Sequence, residues 1–342
     1  MEQNKKRKLH LGRILSFIVI IALIAFLIGS FIKNNEKLDN NGTPKELTPE
    51  EKLKQQQNAH ATCMREVIKE EDLKEEIKNE IETLKNLFTS NSHLNFAFAY
   101  LDINTGFTIS YNADTEIYAA SVTKTAPALY IYDMASVGRI NLDKKRVNEP
   151  RFSNSGSGIL KNRAPGGEYT LRYLTELMIT ISDNIATRIL QDEVTHEAVR
   201  AYFEQFGVTS LYTPAGLNFS SLCGNITAND GNRIMLAIYN FYQENKTGLG
   251  GELWNYFLDS DYKMIGPGVE GYKVASKYGW AINAIHDTAI VYSDNPYALT
   301  VLTNRGRVGG GQTFIRDVST KVNRIHNLYH EQKTQSCAFH LD

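Results

Sequence analysis

The stretch Ser121-Val122-Thr123-Lys124-Thr125-Ala126-Pro127-Ala128-Leu129-Tyr130 opens an apolar helical run that continues through Tyr132 and Met134. Residues three apart share a helix face, so the Ser121 hydroxyl and the Lys124 amine are expected side by side. Serine is a weak nucleophile near neutral pH, and a desolvated lysine is a recognised base for it. A helix N-terminus adds backbone N–H groups aimed at developing negative charge. The stretch therefore points to covalent catalysis by a serine with a lysine base.

Ser-x-x-Lys recurs by chance in a chain of this length, and it does so twice here. Ser30-Phe31-Ile32-Lys33 ends an apolar segment, and Ser260-Asp261-Tyr262-Lys263 lies in a polar connection. Only the 121–124 copy follows a strand-like pair, Asn95–Asp102 and Thr108–Asn112, joined by a tight turn at Asn104-Thr105-Gly106. The centre of the chain is mostly helical, with runs over Leu171–Leu190 and Ala228–Tyr242. Strand patterns return at Tyr272–Ala281, Asp287–Ser293 and Tyr297–Thr303, before a final helix over Gln312–Tyr329. This order predicts an α+β domain: a mostly antiparallel five-stranded sheet built from both ends, with an inserted helical subdomain.

Acyl transfer also needs a proton for the leaving nitrogen and a grip on the substrate. Ser182-Asp183-Asn184, in the Leu171–Leu190 helical region, offers a hydroxyl and an amide for those tasks. The second copy, Ser293-Asp294-Asn295 before Pro296, is a turn by composition. Lys277-Tyr278-Gly279 lies inside a strand pattern, where a cation can hold a substrate carboxylate rigidly. Lys246-Thr247-Gly248 sits at a glycine-rich helix end and reads as solvated.

Ser-x-x-Lys, Ser-Asp-Asn and a Lys-x-Gly strand in this order resemble the class A β-lactamase and penicillin-binding-protein serine hydrolases, over about Leu73 to Tyr329. Gly156-Ser157-Gly158-Ile159-Leu160, Leu177-Met178-Ile179-Thr180 and His286-Asp287 frame the match. The resemblance implies a β-lactamase-like fold with Ser121 as acylated nucleophile, Lys124 as base and Ser182 as proton donor to the leaving nitrogen. It gives Asn184 the substrate amide, Lys277 the substrate carboxylate, and the backbone N–H groups of Ser121 and Trp280 the oxyanion. Asp183 is expected to be structural.

Two departures qualify the match. Class A enzymes carry a loop glutamate that activates the deacylating water, whereas Leu211-Tyr212-Thr213-Pro214-Ala215-Gly216-Leu217-Asn218 contains no carboxylate. Asn218 matches the loop asparagine, and Glu193, Glu197 and Glu204 read as surface charges. Acylation is then expected to proceed and deacylation to be slow. The second departure is Tyr278 in the threonine position, with His286 a candidate to contribute there or to serve as a structural histidine. The expectation is a serine hydrolase acting on β-lactams or cell-wall-type D-amino-acid amides. The alternative is a degenerate module of the same fold that binds wall peptides or a partner.

The rest of the chain sets the compartment. Lys5, Lys6, Arg7, Lys8 and Arg13 precede an uncharged segment, 14–32, of about 19 residues, long enough to span a bilayer as a helix. Its length and the poor cleavage site at Gly29-Ser30 favour an anchor over a signal peptide, with residues 1–13 cytoplasmic and the rest outside. Residues 33–71 read as linker and helical stalk, 72–332 as the hydrolase domain and 333–342 as a tail. Cys63, Cys223 and Cys337 allow at most one internal pair, left open between a bridge and thiols, and suggest no zinc site. The net charge of −1 gives no basis for a nucleic-acid partner, and no cofactor or metal is called for.

Overall fold

The computed structural model describes residues 47–90, 95–217, 222–304 and 310–338. The expected anchor at 14–32 and most of the linker lie outside these residues. Among the described residues no helix is long and apolar enough to cross a membrane. The strands are β1 (Phe96–Asp102), β2 (Thr108–Tyr111), β3 (Ile117–Tyr118), β4 (Lys145–Val147), β5 (Glu168–Thr170), β6 (Asn225–Ile226), β7 (Lys273–Ala281), β8 (Ala284–Tyr292) and β9 (Tyr297–Thr303).

Five of them form one antiparallel sheet in the order β2-β1-β9-β8-β7, so both ends of the domain build it, as expected. β1 shows how its two faces differ. Phe96, Phe98 and Tyr100 pack in one apolar cluster with Phe88 and the C-terminal helix residues Phe314, Ile315 and Val318. Ala97 and Ala99 enter the other cluster, with the helical subdomain. Small residues there let the Ala228–Glu244 helix come close, and Asn232 Nδ2 donates to the Ala99 carbonyl at 2.9 Å. A sheet buried on both faces reads as continuous apolar sequence rather than alternation. The turn at Gly106 (φ 77°) is closed by its N–H to the Asp102 carbonyl. β8 begins at Ala284 rather than Asp287, because Ala281 pairs with Ala284 across the two-residue turn Ile282-Asn283.

The helical run expected over Leu171–Leu190 is two helices, Leu171–Thr180 and Asn184–Glu193. The break falls at Ser182, whose φ of 57° is left-handed. Asp183 then caps the second helix, its Oδ1 accepting from the Ile185 and Ala186 N–H groups at 2.9 Å.

The final helix, Gly311–Cys337, runs past the expected boundary at 332. Cys63 and Cys337 form a disulfide. Around it, Gln332 accepts from Lys74 N at 2.9 Å and donates to the Asp72 carbonyl at 2.8 Å, and Lys333 donates to the carbonyls of Cys63 and Glu66. One compact unit therefore starts at Thr62 and takes in the end of this helix. These bonds are made by side chains that carry no apolar periodicity. In the Pro49–Arg65 helix no residue is buried.

The disulfide closes a loop of 274 residues. Replacing Cys63 and Cys337 together by serine is expected to lower unfolding free energy by about 2–4 kcal/mol. Denaturant titration of oxidised wild type against the double variant checks it, and coincident midpoints contradict it.

Candidate active site

β3 feeds a 3₁₀ turn over Ala120–Lys124, which passes into the Thr125–Ser136 helix. Side chains three apart eclipse in a 3₁₀ turn, which places Ser121 and Lys124 on one face more tightly than an α-turn does. Ala120 enters this turn at φ 46°, an uncommon conformation for a residue with a Cβ. Ser121 is half-buried and lines a cleft of about 570 Å³ with Ser157, Ser182, Asn184, Asp261, Tyr262, Tyr278 and Trp280. A cleft of this size suits a small ligand.

Lys124 is 1% exposed. Its Nζ donates to the Ser182 carbonyl at 2.7 Å, to Ser182 Oγ at 3.1 Å and to Asn184 Oδ1 at 2.8 Å. Burial pulls its pKa down to about 8, against weaker support for the charge from Cys223 and Asp183. The amine is therefore much closer to its free-base form at neutral pH than an exposed lysine.

Asp183 fixes this corner. Besides capping the helix through Oδ1, its Oδ2 accepts from the backbone N–H groups of Ile159 and Leu160 at 2.8 and 2.9 Å. A Cβ on Gly158 would fall 2.1 Å from that oxygen. Asp183 is structural, as expected. Asn184 Nδ2 donates to Asn154 Oδ1 at 3.1 Å, leaving one amide hydrogen for the cleft.

Opposite stands β7, the edge strand of the sheet. A Cβ on Gly279 would lie 2.9 Å from the Ala119 carbonyl and 3.1 Å from Val122 Cγ2, so only glycine lets β7 and the nucleophile turn approach this closely. Trp280 follows on the cleft wall.

Lys277 and Tyr278 depart from expectation. Lys277 is fully buried and does not line the cleft. Its Nζ donates to the Tyr278 carbonyl at 2.9 Å and sits 3.8 Å from the Tyr278 ring centroid, so the ring shields the ammonium. Burial, then repulsion by Lys124, lowers its pKa well below the ordinary lysine value. Burial and the adjacent Asp261 charge raise the pKa of the Tyr278 hydroxyl.

His286 is not in the cleft. Its Nε2 bonds the Tyr118 carbonyl at 2.7 Å and its Nδ1 accepts from Thr303 N at 3.0 Å, so it ties β3 to the sheet. Burial lowers its pKa to about 4, which keeps it neutral. Asn218 lies outside the described residues. Tyr212 packs behind the Ala120–Lys124 turn, its hydroxyl donating to the Thr123 carbonyl at 3.3 Å. Glu193 is held by Lys144 and Arg146 at 2.6 and 2.5 Å, away from the cleft.

The sequence reading missed Asp261 and Tyr262, set aside as part of a polar connection, and Asn154. Asp261 N–H bonds the Thr180 carbonyl at 2.9 Å, and the following Met264 and Ile265 N–H groups bond Asp287 Oδ2 at 2.8 and 2.9 Å. These anchors bring the connection to the cleft, and no local pattern announces them.

The chain belongs to the Beta-lactamase enzyme family, whose pattern it matches over residues 77–326. Among solved structures, PBP-A superposes with a TM-score of 0.65 at 20% identity, over 73% of this chain and 96% of that one. A mutant of PBP-A held as an acyl-enzyme complex with penicillin G gives 0.66 at 20%, over 73% and 97%. A β-lactamase from Sphaerobacter thermophilus gives 0.64 at 22%, over 73% and 97%. A search of curated proteins finds no match.

Gly279→Ala is expected to force β7 away from the Ala119–Ser121 turn and to slow acylation by about 10²–10³ through a displaced oxyanion donor. Second-order labelling rates with a reporter β-lactam measure this. A wild-type rate in the variant would show that the close approach is not needed.

Proposed function

We propose that the chain is a membrane-anchored, extracytoplasmic serine hydrolase in which Ser121 is acylated by β-lactams or by D-amino-acid amides of cell-wall type. The observation that carries this reading is the buried Lys124 amine, bonded to Ser182 and Asn184, on the face it shares with a cleft-lining Ser121. In its free-base form the amine takes the Ser121 proton as the hydroxyl attacks the carbonyl carbon. Ser182 Oγ, within bonding distance of the same amine, returns a proton to the departing nitrogen. The N–H groups of Ser121 and Trp280 meet the oxyanion.

Deacylation is the slow step in this reading. The 211–217 segment brings no carboxylate to the cleft, and the cleft carboxylate of Asp261 is engaged with Tyr278. The extracytoplasmic placement rests on the basic start and apolar segment at 14–32, and the Cys63–Cys337 disulfide belongs to an oxidising compartment. A second reading, a peptide-binding module without turnover, draws on the shielding of Lys277 by the Tyr278 ring.

Fluorescent penicillin separates the readings. Wild type is expected to label covalently and Ser121→Ala not at all; unlabelled wild type favours the binding module. Label retained for many minutes agrees with the missing base, while loss within seconds would reveal one.

The pH dependence tests Lys124. Its pKa is lowered, so the free amine accumulates as pH rises through about 8. Acylation rates are expected to climb with pH to a plateau just above that value. A rate still rising near pH 10 would mean an unperturbed lysine.

A further inference from the structure

The C-terminal helix carries His326 and His330 one turn apart, a spacing that presents two imidazoles on one helix face. That face meets the end of β1 at Asp102, which pairs with Tyr297 at the sheet end remote from Thr303 and His286. Asp102 Oδ2 lies 2.6 Å from His330 Nε2 and 3.5 Å from His326 Nδ1. One ligating atom from each of the three residues falls within 4.8 Å of the others.

We propose that Asp102, His326 and His330 form a site for a divalent transition-metal ion of the zinc type, which clamps the C-terminal helix to the sheet. Metal bonds of about 2.0–2.2 Å in tetrahedral geometry put ligand atoms roughly 3.3 Å apart. The 2.6 and 3.5 Å separations lie within an ångström of that value, and the widest, at most 4.8 Å, has to close by up to about 1.5 Å.

The outer contacts suit the role. Asp102 is fully buried, and its Oδ1 accepts from both the backbone N–H and the hydroxyl of Thr105 at 2.8 Å, which fixes the carboxylate and leaves Oδ2 to the histidines. The Tyr100 hydroxyl lies 2.8 Å from His326 Nδ1 and has to turn away from that nitrogen when the ion binds. A purely structural histidine in this protein, His286, has both ring nitrogens bonded. His330 Nδ1 is buried with no hydrogen-bond partner among the described groups, so a shift of this ring toward the ion breaks no bond on that side. Both imidazoles also border a cavity of about 580 Å³, with Asp294 and Glu331 on its wall, which gives an ion entry and leaves room for a water ligand.

The full-length chain in detergent, stripped with a chelator, is to be titrated with Co²⁺ and then Zn²⁺. One Co²⁺ per chain with tetrahedral visible absorption is expected, displaced by Zn²⁺ and lost in His330→Asn and His326→Asn variants that keep the native circular dichroism. Zn²⁺ at a hundredfold excess over its dissociation constant is expected to raise the melting temperature by about 5 °C or more. X-ray absorption at the zinc edge of loaded wild type, which needs no variant, is expected to show two imidazoles and no sulfur. Absence of stoichiometric uptake, uptake that survives both substitutions, or a shell without two imidazoles overturns the proposal.

Discussion

A primary amine inside a protein must find partners for its hydrogens, because an unpartnered buried charge costs several kcal/mol. Lys124 finds them in the Ser182 carbonyl, the Ser182 hydroxyl and the Asn184 amide oxygen, all supplied by the break between two helices. The break needs Ser182 in the left-handed region, and that conformation persists because Asp183 pins both sides of it. One oxygen caps the following helix, and the other holds the 159–160 backbone. Gly158 has no Cβ because Asp183 occupies that space. One buried amine thereby sets residue choice along two separate segments.

The sheet supplies the opposite wall by a comparable constraint. Gly279 brings β7 against the Ala119–Ser121 turn, while His286, on the neighbouring strand opposite Gly279, grips the Tyr118 carbonyl just before that turn. The Ala119–Ser121 turn is thus held from the sheet side by backbone contact, and Lys124, just past it, is bonded to the helical side through Ser182 and Asn184. Positioning of this kind lowers the reorganisation needed during reaction.

Much of this was legible in the sequence because catalysis by a serine and lysine demands particular residues at short, fixed spacings. Ser121, Ser182 and Asn184 line one cleft and Lys124 bonds the last two, and the strands of the sheet fall within a few residues of their apolar runs. Interactions between distant segments were not legible. The helix break at Ser182 depends on Asp183 meeting residues 159 and 160, and the Cys63–Cys337 pair depends on a helix whose last turns lack apolar spacing. Asp261 and Tyr262 read as part of a polar connection, since the groups that anchor it, the Thr180 carbonyl and the Asp287 carboxylate, lie far off in sequence. The two histidines near Asp102 are a helical turn apart in sequence, but their carboxylate is over two hundred residues away.

The least family-like feature bears on what the cleft will accept. A lysine on a strand attracts a substrate carboxylate only if its charge is present and reachable. Here burial and the nearby Lys124 both disfavour the charged form of Lys277, and the Tyr278 ring lies over the amine. The cleft wall instead shows the Tyr262, Tyr278 and Trp280 rings and the Asp261 carboxylate. A substrate anion gains little from that wall unless the Tyr278 ring swings aside. Recognition on this side of the cleft therefore falls first to flat apolar contact and only second to charge, the reverse of a lysine-threonine arrangement.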